Sequence, residues 1–193
     1  MNYDNKAKIM QRAFELIRDG IKNRSSMFHT LTMSTLHNKE IYSRVMVLRD
    51  FNASKRFLRF HSDYRSQKVQ AIKDNPITSL IGYDPGSKTQ IRMVGISKVN
   101  YKNKQSKKAW EESQAISKKC YSVKDGSSHS TDNPESYDFH IKDVNLEDGY
   151  KNFSTIVFTF SSLEFLYLQR SGHRRCKFEW NKRGGVKSYW LIP

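Results

Sequence analysis

The sequence predicts a mainly β protein, an antiparallel barrel with α-helices inserted between its strands. Three observations predict it. Short apolar runs alternate with polar residues at the period of two that a half-buried strand requires. These runs follow one another across single turns, so antiparallel hairpins are the simplest pairing. At least six such runs occur, and helical periodicity is confined to a few stretches between them. The 193 residues suit one domain, 1–193, with a core large enough to need no disulfide or metal.

Taken in order, residues 5–23 open the chain as an amphipathic helix. Ile9, Met10, Ala13, Phe14, Ile17 and Ile21 recur every three or four positions with charged residues between them. Gly20 weakens the last turn. Residues 29–36 alternate loosely, and His37-Asn38-Lys39 is a polar turn. Residues 41–48 (IYSRVMVL) are β-branched and apolar, and 55–61 (KRFLRFH) alternate cleanly. Residues 66–73 (SQKVQAIK) form a short helix stopped at Asn75-Pro76, because the residue before proline is pushed out of the helical region. Strands at 77–83 and 89–99 flank Asp84-Pro85-Gly86-Ser87, a strong turn signal. Residues 104–117 read as one helix. Residues 121–151 are rich in Ser, Asp, Asn and Gly and form a long polar loop. Strands resume at 153–160, 164–169, 174–180 and 187–192, the last after a Gly184-Gly185 turn.

Composition narrows the function. Thirty-seven per cent apolar and 27% charged residues describe a folded chain and not a disordered one. No apolar run approaches the roughly 18 residues of a membrane span, and the N-terminus lacks a signal layout, so we expect a cytoplasmic protein with no membrane partner. Cys120 and Cys176 are the only cysteines. Neither has a CxxC or CxxH neighbour, which argues for two free thiols and no metal site. A net charge of +15 favours anionic ligands, nucleic acid or phosphorylated small molecules. The lysines are dispersed, however, which also fits an ordinary solvated surface. There is neither a recognition helix nor an aromatic platform, so nucleic acid is the weaker alternative. No Ser-His-Asp or Cys-His arrangement suggests a hydrolase. His129 and His140 in the polar loop read as surface residues, and Trp110, Trp180 and Trp190 as core or interface anchors.

Three basic clusters interrupt the strands. Arg44 follows Ser43, and Arg49 lies five residues on, a spacing that puts the two arginines on opposite faces unless a bulge or strand end intervenes. Arg65-Ser66-Gln67-Lys68 enters a helix, where unpaired backbone amides offer donors to a phosphate and Lys68 adds a charge. His173-Arg174-Arg175 follows Gly172. By themselves these clusters indicate a barrel with a taste for a phosphorylated ligand, and they do not name it.

The stretches SRVMVLRDF, LRFHSDYRSQKVQAIKDNP and SLIGYDPGSKTQIRMVGISKV, with GHRRCKFEW and YWLIP near the C-terminus, resemble the pyridoxamine 5'-phosphate oxidase-like family. The resemblance covers about residues 28–100 and 153–193. It implies a split β-barrel homodimer with FMN at the subunit interface. On the matching positions, Arg44, Val45, Met46, Val47, Leu48 and Arg49 would line the flavin, with Arg44 reaching the phosphate. His61 and Ser62 form the next contact pair, and Ser66, Gln67 and Lys68 would hold the phosphate. Gln90 would come from the other subunit, and Arg175 would approach the polar edge of the ring. Arg49, His173 and Arg174 are the positions implied for substrate binding; no catalytic residue is singled out.

The departures from the family pattern fall mainly on the substrate side. Gln67 stands where the family carries an arginine, and Leu166-Tyr167-Leu168 where it carries a tryptophan. The stretch KKAWEESQAISKK lacks the family's tyrosine and arginine, and Arg49 replaces a lysine. The resemblance therefore implies an FMN-dependent oxidoreductase acting on an unidentified small molecule, with a flavin-binding module without turnover as the alternative.

Overall fold

The computed structural model describes residues 3–127, 129–137 and 146–193. His140 lies outside the described residues. Helix α1 (Lys6–Lys22) starts where the Asn5 side chain accepts the Lys8 amide at 3.1 Å, and it buries Ile9, Ala13, Leu16 and Ile17 against the barrel. Gly20 does more than weaken the last turn. A Cβ there would stand 2.4 Å from the Phe28 carbonyl oxygen, so glycine lets the helix touch the backbone of the next segment.

Strand β1 (Thr30–His37) turns into β2 (Glu40–Asn52) through Asn38 and Lys39, both at positive φ as a two-residue hairpin turn demands. Strand β3 (Phe57–Asp63), helix α2 (Gln67–Asp74), β4 (Ile77–Asp84) and β5 (Thr89–Tyr101) follow. In the β4–β5 turn the Asp84 carboxylate accepts the amides of Gly86 and Ser87 at 2.9 and 3.2 Å and the Ser87 hydroxyl at 2.6 Å. These bonds, the Ser87 hydroxyl foremost, hold the Asp84 carboxyl below the usual range.

The single helix expected over 104–117 is two, α3 (Lys104–Glu111) and α4 (Ala115–Lys119). The Ser113 hydroxyl donates back to the Ala109 carbonyl at 2.7 Å, and Gln114 is extended at the start of the second helix. Conversely, the two strands expected at 153–160 and 164–169 are one, β6 (Phe153–Tyr167). The polar pair Ser161-Ser162 is accommodated by a bulge, since Val94 pairs with Ser162 and Gly95 with Phe160. Strands β7 (Arg174–Trp180) and β8 (Val186–Leu191) complete the sheet. Within the polar stretch 121–151, residues Pro134–Tyr137 and Leu146–Asn152 take short 3-10 turns.

All pairings are antiparallel, in the order β3-β2-β1-β4-β5-β6-β7-β8, and β3 also pairs with β6. Strands β1 to β6 therefore close a six-stranded barrel, with β7 and β8 extending one side. Leu31, Met33, Leu48, Leu58, Phe60, Leu80, Met93, Ile156, Phe158 and Phe160 bury themselves in its core. Ala109, Trp110 and Phe153 form a smaller cluster where α3 meets β6. No helix among the described residues is long and apolar enough to cross a membrane.

Candidate functional site

Strand β2 carries the site because it is paired unevenly. Residues Glu40 to Val47 pair with β1, whereas pairing with β3 begins only at Leu48. Among the described residues the outer edge of that first stretch has no strand beside it, which leaves backbone donors and acceptors facing a gap in the barrel wall. Along the stretch Val45 points out at 65% exposure, while Met46 and Leu48 point into the core, so those two can meet a ligand only through their backbone.

Cations stand along the open edge and just past it. Within it Arg44, opposite Met33, donates to the Thr35 hydroxyl at 2.7 Å and the Met33 carbonyl at 3.3 Å. Lys68 sits near enough for the Arg44 charge to act on it. Burial, and then Arg44, push the Lys68 ammonium below its usual pKa, against the pull of Asp63. The Ser62 and Ser66 hydroxyls lie 3.2 Å apart, and both donate to the Asp63 carbonyl. These serines shape the turn into α2. The Val69 and Gln70 amides return to the Ser66 carbonyl, leaving the amides of Gln67 and Lys68 at the head of the helix without an intrahelical partner.

Just past the edge a bulge follows Leu48, which pairs with Phe60, while Asp50 pairs with Arg59. The extra residue is Arg49. Arg44 faces the interior beside Met33, and the bulged Arg49 lines an outer cavity of about 390 Å³ that it shares with Arg59 and His61. Arg59 and His61 reach that face because they alternate with buried Leu58 and Phe60. Burial, then the charges of Arg49 and Arg59, push the His61 imidazole down to a pKa of about 3. It is neutral at physiological pH. Among the described residues, Arg49 Nε, Arg59 Nε and His61 Nε2 are buried and have no hydrogen-bond partner. Donors left unpaired in one cavity mark it as a place for a polar ligand.

Residues 11–100 match the family model of the pyridoxamine 5'-phosphate oxidase FMN-binding domain. Over those residues the chain is similar to that domain, and its fold is a split barrel. Two solved structures support the fold. One is a pyridoxamine 5'-phosphate oxidase-related, FMN-binding protein from Nostoc punctiforme, 17% identical, covering 95% of this chain and 96% of that one at a TM-score of 0.75. The other is PhzG from Burkholderia lata, crystallised with tetrahydrophenazine-1-carboxylic acid, 17% identical, covering 99% and 96% at a TM-score of 0.78. No curated protein sequence matches the chain.

The residues this split barrel presents fit an FMN. Phosphate-suited cations and free helix-start amides lie along an exposed backbone edge, and unpaired guanidinium and imidazole nitrogens just past it. The remaining residues implied by the family resemblance do not join this group within one chain. Gln90 and Arg175 line up across the sheet, both opposite Leu166 of β6. Arg175 is held by Glu164, with Nε and Nη2 each 2.8 Å from Oε1, and Arg92 bonds the other oxygen at 2.6 Å. Glu164 is only 5% exposed. His173 Nδ1 accepts the Gln169 amide at 3.2 Å, and Arg174 pairs with Asp4. The cavity holding Arg49 and His61 includes none of these four. Arg59 is a site residue that the sequence expectations do not single out; its signal is its place two residues before His61, which puts both side chains on one face.

Proposed function

We propose that the chain binds FMN as a homodimer and acts as an FMN-dependent oxidoreductase on a small anionic substrate. The observation that carries this reading is the open edge of β2, with cations along it and just past it. Arg44, Lys68 and the amides of Gln67 and Lys68 suit a dianionic phosphate, and charge-assisted bonds of about 1.5–3 kcal/mol each would supply much of the ~8 kcal/mol of micromolar binding. When bound, FMN supplies two-electron redox chemistry at its ring. Arg49 draws an anionic group to the cavity beside it. His61, being neutral, offers one N–H and one lone pair without adding a third positive charge. The carboxylic acid bound by PhzG is a ligand of the kind such a cavity attracts.

The dimer is supported by the outer face of the barrel. Ile41, Val45, Ile77 and Ile96 are 58–75% exposed there, and Ile77 pairs directly with Ile96. A second copy would cover this patch. It would also bring Gln90 and Arg175 of one protomer to the open edge of the other, reuniting residues that a single chain keeps apart. An exposed Cys120 and a buried Cys176, both free thiols, agree with a reducing cytoplasm.

The visible absorption spectrum of freshly purified protein, followed by titration with FMN, tests the reading. We expect flavin bands and saturable binding of one FMN per protomer. Protein that stays colourless and ignores added FMN overturns it.

A further inference from the structure

The cavity beside His61 continues past Arg49 and Arg59 into a second chamber of about 590 Å³, flanked by α3. The two arginines and Glu112 line both spaces and form the partition between them. Thr155 lies in the second chamber on β6, directly opposite His61 of β3 and diagonal to Arg59. Thr155 is fully buried, and its hydroxyl has no hydrogen-bond partner among the described residues. Arg59 Nε is likewise unpartnered. The two acids nearest Arg59 stand beyond hydrogen-bond reach, Asp50 at 3.9 Å and Glu112 at 3.7 Å. They steady the charge of the guanidinium without occupying its donors. Lys55 and Lys108 also line the chamber, so cations outnumber the two acids there.

An unpaired buried hydroxyl and a guanidinium whose Nε makes no hydrogen bond, facing one space with excess positive charge, are the components of an anion subsite. We propose that Arg59 and Thr155 form such a subsite, and that the substrate carries two anionic groups, carboxylate or phosphate. One group lies beside Arg49 and His61, and the second lies across the partition. Each chamber is of a size that holds part or all of a small metabolite. This inference rests on the oxidoreductase reading for the role of the ligand as substrate, whereas the subsite itself is a property of the protein chain.

Calorimetric titration of the FMN-loaded protein with one-headed and two-headed anions tests it. Acetate and glutarate are the carboxylate pair, and inorganic phosphate and 2-phosphoglycolate the phosphate pair. In at least one pair the two-headed probe should bind about tenfold more tightly than its partner, and the pair that does so identifies the anion preferred. Thr155→Val, which keeps the shape and removes the hydroxyl, should reduce that advantage about threefold, and Arg59→Met should abolish it. Affinity for FMN should be unchanged in Thr155→Val. Equal binding of one-headed and two-headed probes in both pairs, or an advantage that survives both substitutions, overturns the subsite. Protein that takes up no FMN overturns the oxidoreductase reading instead, and the same titrations on the FMN-free chain then still decide the subsite.

Discussion

The positively charged residues of the site divide by what else they hold. Lys68 makes no ion pair among the described residues, and burial already disfavours its charge. Lys68→Ala should therefore weaken FMN binding tenfold or more by order of magnitude while leaving the melting temperature of FMN-free protein nearly unchanged. Arg44 has a second task beside the phosphate contact that the family resemblance implies. It also satisfies the buried Thr35 hydroxyl, so Arg44→Ala should lose FMN affinity and in addition cost about 1–3 kcal/mol of stability. Differential scanning of both variants without FMN separates the two cases. His61 makes a pH prediction. Its folded pKa of about 3 lies below the unfolded value near 6.5, so between those limits the unfolded chain binds more protons. The contribution is complete above pH ~6.5 and is lost toward pH ~3 at about 1.4 kcal/mol per pH unit. Urea unfolding at pH 7, 5 and 4 should show His61→Asn losing less stability on acidification than the parent; parallel losses would mean that His61 titrates as a free histidine.

The elements of this fold are set by their ladders, and two bulges do most of the shaping. The bulge at Arg49 ends the open stretch of β2 and brings an arginine to the outer cavity. The bulge at Ser161 keeps β6 continuous where a polar pair would otherwise break it. Gly95 is the partner residue that permits this second bulge. A Cβ on Gly95 would lie 2.1 Å from the Thr159 carbonyl oxygen and 2.6 Å from the Phe160 Cα, both backbone atoms with little room to yield. Gly95→Ala should lower the denaturation midpoint by the equivalent of about 2–4 kcal/mol. A neutral result would show that β5 and β6 are free to separate locally. Helix α3 illustrates the opposite case, since periodicity alone carried the expected helix through Ser113 and Gln114. A hydroxyl returning to its own helix is a local competition that hydrophobic spacing does not register.

At the scale of the whole molecule, the barrel closes through β3 and β6 but stays unsealed along the first half of β2. The exposed isoleucines on the outer face of the barrel give the proposed dimer its driving force. Ile96→Asp should therefore yield monomers by size-exclusion chromatography with light scattering, together with a loss of FMN affinity because the partner no longer covers the edge. A variant that remains dimeric at micromolar concentration would place the interface elsewhere. The dispersed positive charge has a local answer as well. Arg92 and Arg175 share Glu164, and Arg65 is held bidentately by Asp63 while it bonds the carbonyls of Val123 and Lys124. Several cations read from the sequence as ligand-seeking clusters are thus employed in bracing the fold.

What the amino-acid sequence by itself determined is the set of local decisions. Alternation set which side of each strand is buried, Asn38 and Asp84 marked turns that form as expected, and the start of α2 was visible from Ser66 onward. These are choices made within a few residues, where backbone sterics and short-range hydrogen bonds decide. Only the tertiary structure decided that β3 returns to β6, that β2 keeps a free edge, and that Arg49, Arg59, His61 and Thr155 meet. Those outcomes depend on the register between strands about a hundred residues apart. Register is chosen by how completely all the apolar faces can be buried together, a quantity no single segment contains.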